Sequence, residues 1–186
     1  MFGMTNDASV NALELLKRDH QQVDKLFKQF EDIKEGAEDS AKEELVTQIC
    51  DALTVHAAIE EAIFYPAARQ ALPQEQGQDL LDEAAVEHQT LKDIIGRLEA
   101  APAGDPLYDA GVKVLSEYVK HHVREEENEL FPKVRASDMD LQAIGQQLAE
   151  RKEQLERRES QARGSNSRGE KPSRTAGDSR APRNAH

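Results

Sequence analysis

Two stretches of this chain, HAAIEEAIFYP at residues 56–66 and HVREEENELFP at residues 122–132, are copies of one pattern. They pair His56 with His122, Glu60 with Glu126, Glu61 with Glu127, Phe64 with Leu130, Tyr65 with Phe131 and Pro66 with Pro132. In each copy a glutamate follows a histidine by four residues. On an α-helix that spacing stacks both side chains on one face, one turn apart. The pattern therefore requires helices whose inner faces carry an imidazole above a carboxylate, a common way for a bundle to offer two metal ligands.

The remaining sequence supplies such helices. Only 4% of residues are aromatic and Trp is absent; Ala, Leu, Glu, Gln and Lys dominate, which favours helix. A first apolar seam reads Leu13, Leu16, His20, Val23, Phe27, Phe30. A second reads Leu45, Ile49, Ala52 or Leu53, His56, Glu60, Ile63, and a third Leu81, Ala84, His88, Leu91, Ile95, Leu98. The fourth reads Val112, Leu115, Val119, His122, Glu126, Leu130. Steps of three and four mark the core face of an antiparallel bundle. The expected starts are Asp7–Ser9 for the first helix, Ser40 with Glu43 as a capping box for the second, and Asp105 before Pro106 for the fourth. Gly36 should end the first helix, and Pro66 and Pro132 should kink or end the second and fourth. Ser137 or Asp138 should cap a short fifth helix from Met139 to about Glu159.

The predicted fold class is all-α, an up-down-up-down four-helix bundle over residues 1–160 with that trailing helix. From Gln161 to His186 there is no Leu, Ile, Val or Phe, so 161–186 is expected to be a disordered basic tail.

Each seam holds one histidine where Leu would be usual: His20, His56, His88 and His122. Equal distances from the connecting turns put them at similar heights, with Glu60 and Glu126 one turn away. The halves repeat, since RDHQQVDKLF around His20 resembles VEHQTLKDII around His88. A second register of the fourth helix, through His121 and Glu125, has the same spacing but a less apolar stripe. Two readings compete for this layer: a hydrogen-bonded polar core, or a cation site. Burying six such groups without a cation costs several kcal/mol for each unpaired one, and the seams hold few Lys or Arg. Four nitrogens and two carboxylates exceed the needs of one tetrahedral zinc. They suit two ions, each with two histidines and bridged by carboxylates, with iron the best match and manganese or zinc the alternatives.

The set His20, His56-xxx-Glu60, His88 and His122-xxx-Glu126, with EExxFYP and EExxLFP after the second and fourth histidines, resembles the hemerythrin-like HHE cation-binding family. The resemblance covers about residues 10–135 and extends to a trailing fifth helix in LQAIGQQLAERKEQL. It implies a non-haem di-iron site that binds O₂ or reacts with O₂, NO or peroxide. The chain departs from oxygen-carrying hemerythrin, whose third helix gives two histidines a turn apart; here Ala84 and Lys92 flank His88 at that spacing. Glu126 also stands four residues after its histidine, where the carrier has an aspartate five after. Both ions would keep exchangeable positions, which favours redox turnover or sensing over carriage.

Several residues stay outside the expected ligand set. Glu61 and Glu127 are read as imidazole partners or as solvated carboxylates, and Tyr118 as packing or an extra donor. Phe64, Tyr65 and Phe131 are expected to shield the core, and Cys50 to be a buried thiol. A single cysteine excludes an intrachain disulfide. No signal peptide or membrane span is visible, so a cytoplasmic location is expected. The net charge of −12 falls on the body of the chain; from Arg151 onward Lys and Arg outnumber Asp and Glu ten to five. An acidic body disfavours nucleic acid. The expected partner is a small diatomic molecule or peroxide, in oxidative or nitrosative stress. The alternative is a metal-gated iron or oxygen sensor or interaction module without turnover, and the tail's partner is unknown.

Overall fold

The structure, a computed structural model, describes residues 10–75 and 77–166. All the elements it describes are helical. α1 (Ala12–Ile33) opens at Asn11, whose side-chain oxygen accepts from the Leu13 and Glu14 amides at 3.0 and 3.4 Å. The expected caps, Asp7–Ser9, lie outside the described residues. Gly36, at φ 113°, lies in the left-handed region open to glycine and turns the chain back into α2 (Asp39–Ile59). The Ser40–Glu43 box does not form. Glu38 precedes the helix without a side-chain cap, and Glu43 accepts the Ala103 amide at 3.0 Å instead, fastening α2 to the loop after α4 (Gln78–Ala100).

α2 does not stop at Pro66. It runs through a π-helical turn, Glu60–Phe64, into α3 (Tyr65–Ala71). The repeat does the same: α5 (Tyr108–Glu125) passes through Glu126–Leu130 into α6 (Phe131–Arg135). In each turn the residue five past the glutamate, Tyr65 or Phe131, donates its amide to the carbonyl of Glu60 or Glu126. The proline then lies in the first turn of the next helical segment, where a missing N–H costs little. The wide turn is thus centred on the glutamate in both copies, and such bulges recur at functional sites. α5 also starts two residues later than Pro106 suggests, because Asp105 accepts the Leu107 amide at 2.7 Å in a local turn.

α1 pairs with α2 and α4 with α5, and contacts of α2 with α4 and α1 with α5 close the four-helix bundle. α7 (Leu141–Asn166), capped by Asp140 and not by Ser137 or Asp138, lies across α1 and α2. Its 26 residues carry it a few residues past the expected end near Glu159. No Pro or Gly interrupts it between Gly145 and Gly164, and ion pairs Lys152–Glu156 and Arg157–Glu153 line it. Arg163 pairs with Asp51 of α2. Helix therefore passes the expected 160/161 boundary, and residues 167–186 lie outside the described part.

The seams bury as the sequence spacing requires, in two apolar clusters. One gathers Phe27, Phe30, Ile49, Leu53, Leu91, Ile95, Leu115 and Val119. The other gathers Leu13, Leu16, Ile59, Phe64, Tyr65, Leu81, Leu130, Phe131 and Leu148 of α7. The four histidines lie between them.

Candidate metal centre

His20, His56, Glu60, His88, His122 and Glu126 form one layer across the bundle, none more than 6% exposed. His121 is instead a surface residue, with its side chain 44% exposed, so the His122 register is the inward one. The nitrogens pair by half. His20 Nε2 and His56 Nε2 are 3.1 Å apart, and so are His88 Nε2 and His122 Nε2.

The carboxylates join the pairs. Glu60 sets Oε1 3.2 Å from His56 Nε2 and Oε2 3.4 Å from His88 Nε2, one oxygen toward each pair. Glu126 aims a single oxygen at both, with Oε2 3.3 Å from His20 and 3.6 Å from His122. Its other oxygen accepts the Tyr65 hydroxyl at 2.9 Å. That hydroxyl also lies 3.2 Å from His88 Nε2 and 3.5 Å from Glu60 Oε2. Tyr65 was expected to be a shield; it is a donor within the layer. Its repeat partner Phe131 can only stack, and does so on His20 at 6.0 Å.

Each imidazole turns its other nitrogen to a second carboxylate. His20 Nδ1 meets Glu127 at 2.8 Å, His88 Nδ1 meets Glu61 at 3.0 Å, and His122 Nδ1 meets Glu87 at 2.8 Å. Asp19 stands 3.6 Å from His56 Nδ1, too far for a hydrogen bond. The partners follow the repeat. The acid before each lone histidine (Asp19, Glu87) serves the next helix, and the acid after each glutamate (Glu61, Glu127) serves the opposite half. Carboxylates so placed fix the tautomer that leaves Nε2 free for a ligand. Glu61 and Glu127 were weighed from the sequence. Asp19 and Glu87 were not, although an acid precedes the histidine in both RDHQQ and VEHQT. Tyr118 is exposed and plays no part.

The charge pattern fits a cation. Glu60 Oε1 and Glu126 Oε2 are buried with no hydrogen-bond partner, as are His56 Nδ1 and Asp19 Oδ2. Buried polar groups rarely stay so. Without a cation, protons must fill the role: burial pulls the His56 pKa down, but the Glu60 charge beside it, aided by Asp19, carries it up to about 10. His122 shifts up as well, burial opposing and Glu126 and Glu87 prevailing. Burial pushes the Glu60 pKa up, but the interactions with His56 and His88 beside it prevail and hold it well below the usual carboxylate range. Metal ions at the same place would satisfy these atoms directly. The donors divide into His20, His56, Glu60 and Glu126 on one side and Glu60, His88 and His122 on the other. Away from Tyr65, a cavity bounded by the histidines and by Val23, Leu53, Leu91, Ile95 and Val119 leaves about 20 Å³ for the centres of water-sized molecules. That is room for one water or one diatomic molecule.

A helical bundle with imidazoles and carboxylates converging from four helices belongs to the class of histidine–carboxylate cation-binding bundles. The chain is a member of the hemerythrin HHE cation binding domain family, which matches residues 11–134. A solved structure of a hemerythrin HHE cation-binding-domain-containing protein from Mycobacterium kansasii is 26% identical with a TM-score of 0.65, covering 78% of this chain and 87% of that one. A curated relative from Nostoc sp., described as a DNA nickase, is 29% identical over 126 residues, 68% of this chain. The matched region spans about a third (34%) of that relative's length.

Proposed function

We infer that the chain is a non-haem di-iron protein that binds or reacts with O₂, peroxide or NO in oxidative or nitrosative stress. The observation that carries this is the doubled donor set: two imidazole pairs 3.1 Å apart internally, with Glu60 offering one oxygen to each. His20 and His56 would hold one ion and His88 and His122 the other, with Glu60 and Glu126 between them. Bound iron would supply redox-active, incompletely ligated positions for a small oxidant or gas. The protein's own residues do the rest. Glu127, Glu61 and Glu87 hold the imidazole tautomers, Tyr65 orients Glu126, and the apolar cavity beside the histidines admits a small molecule while excluding bulk water.

Ala84 and Lys92 supply no fifth histidine, and Lys92 is already paired with Glu61 at 2.6 Å. Both ions would then keep exchangeable positions, which favours reaction over carriage. The nickase activity named for the Nostoc relative is not carried over, because the body that matches it is acidic and repels a polyanion. No helix among the described residues is long and apolar enough to cross a membrane.

The test is metal analysis with absorption spectra of protein grown with iron. About two irons per chain are expected, with a near-ultraviolet or visible band that peroxide alters and that His56→Ala abolishes. Less than one metal per chain, indifferent to His56→Ala, would refute the reading.

A further inference from the structure

Three of the four carboxylates that back the imidazoles have an ammonium group behind them. Lys152 of α7 sits 2.5 Å from Asp19, Lys92 sits 2.6 Å from Glu61, and Lys17 sits 3.8 Å from Glu127. Glu87 is the exception: among the described residues no lysine or arginine pairs with it. Behind it stands His121, with Nε2 3.4 Å from Glu87 Oε1 and 3.1 Å from Glu125 Oε1. These three donors, two carboxylates and an imidazole, lie close enough together to share one ion. All three are partly exposed, so they face solvent as well as the core.

The surroundings differ between the halves in the same sense. In the repeat, Val55 and Ile59 take the places of His121 and Glu125, while Leu16 and Phe64 take those of Ala84 and Leu130. Leu16, Ile59 and Phe64 are 0% exposed, so the first half is packed shut at this position. In the second half the smaller Ala84 and Leu130 border a narrow cavity. It leaves about 10 Å³ for water-sized centres and is lined by Glu125 and Glu87 and by the inner His122 and Glu126. Acidic and imidazole groups therefore stand along one line from the surface to the layer, between α4 and α5, on the side that α7 does not cover.

We propose that Glu87, His121 and Glu125 form a third cation site, a capture site through which a divalent transition-metal ion reaches the central layer. This inference rests on the proposed metal centre. Oxygen and imidazole donors together suit Fe²⁺, Mn²⁺ or Co²⁺. Without a cation, the exposed Arg124 lies 2.8 Å from His121 Nδ1. Capture at Nε2 places the ring proton on Nδ1 and turns that guanidinium out to solvent. Glu87 bonds His122 through its other oxygen at 2.8 Å, so one side chain touches both the captured ion's place and a central ligand.

The experiment is anaerobic stopped-flow filling of the full chain with Co²⁺, read by its ligand-field bands, with equilibrium dialysis for the number bound. Two surface variants are compared with wild type: His121→Ala with Glu125→Gln, which removes the donors, and Glu125→Lys, which supplies the ammonium that the other three positions have. Circular dichroism confirms that each variant keeps its helices. We expect one fewer weakly held ion, an unchanged number in the centre, and filling slowed about tenfold or more at low ionic strength. A wild type that fills its centre while both variants fill as fast, with as many ions, overturns this inference alone. A wild type that never fills its centre overturns the metal-centre reading, and this inference with it.

Discussion

Tyr65→Phe isolates one hydroxyl at the middle of the site. The change keeps the ring, and Phe131 shows that phenylalanine packs at the equivalent place in the other copy. Burial, and then the charges of Glu126 and Glu60, raise the phenol pKa well above its ordinary value, so at neutral pH the group is a donor. Its bond to Glu126 Oε1, 2.9 Å long, is that oxygen's protein partner, and Glu126 Oε2 has none. A hydrogen bond to a charged group contributes roughly 1.5–3 kcal/mol, and an orphaned buried acceptor forfeits at least that. We expect metal-free Tyr65→Phe to lose about 1.5–3 kcal/mol, or roughly 3–12 °C in Tm for a chain of this size. With metal bound the loss should shrink, because the released oxygen can turn to the ions. The assay is urea unfolding of both proteins with and without metal. Equal stability of the two metal-free proteins would refute the role given to the hydroxyl, and an equal loss with and without metal would refute its link to the ions.

Two further outcomes test the scaffold. Burial foremost, with the charges of Glu99 and Asp51, raises the Cys50 thiol from 9.0 to about 12. The unfolded thiol ionises near pH 9 and the folded one near pH 12, so its contribution is complete below pH 9 and is lost as pH rises to 12; three pKa units correspond to about 4 kcal/mol. The stability of wild type relative to Cys50→Ala, followed by urea unfolding from pH 8 to 11, should fall accordingly, and a flat difference would count against it. Gly145 and Gly96 should respond to alanine in opposite directions. A Cβ at Gly145 would lie 1.7 Å from the Val10 carbonyl oxygen, whereas nothing stands within 4 Å of one at Gly96. Thermal unfolding should show Gly145→Ala losing about 1–3 kcal/mol or more as α7 is pushed off α1, and Gly96→Ala gaining roughly 0.5–1 kcal/mol from helix propensity.

The bundle and the inner layer were legible because both depend on spacing. A helix fixes which residues share a face, and the seams through His20, His56, His88 and His122 are the buried ones. What escaped depends on contacts between elements distant in sequence. Tyr65 reaches Glu126 across 61 residues, so its hydroxyl looked like part of an aromatic shield. Asp19 and Glu87 precede histidines that they do not serve, because a side chain one residue along points toward the neighbouring helix. The caps shifted by a few residues because contacts made in the fold reassign the capping side chains: Asp105 closes a local turn, and Glu43 accepts the Ala103 amide, which decided against the box at Ser40. The π-helical turns were hidden because proline ordinarily ends a helix. Its recurrence six residues after the glutamate in both copies was the available signal.

The repeat builds a nearly symmetric set of inner donors, and single residues outside that set then distinguish the halves. Glu60 spreads its two oxygens over both histidine pairs, since the Tyr65 hydroxyl that binds Glu126 at 2.9 Å reaches Glu60 only at 3.5 Å. Glu126 gives one oxygen to both pairs because Tyr65 holds the other. The two donor groups are therefore inequivalent by one hydroxyl, although all six inner side chains match across the repeat. The outer groups divide the halves again: α7 brings Lys152 to Asp19 and covers one flank, while Glu87, with His121 and Glu125, keeps the other in contact with solvent. A duplicated motif explains why six donors meet. The differences between its copies explain how two like donor groups acquire unlike surroundings, one flank covered by α7 and the other open to solvent.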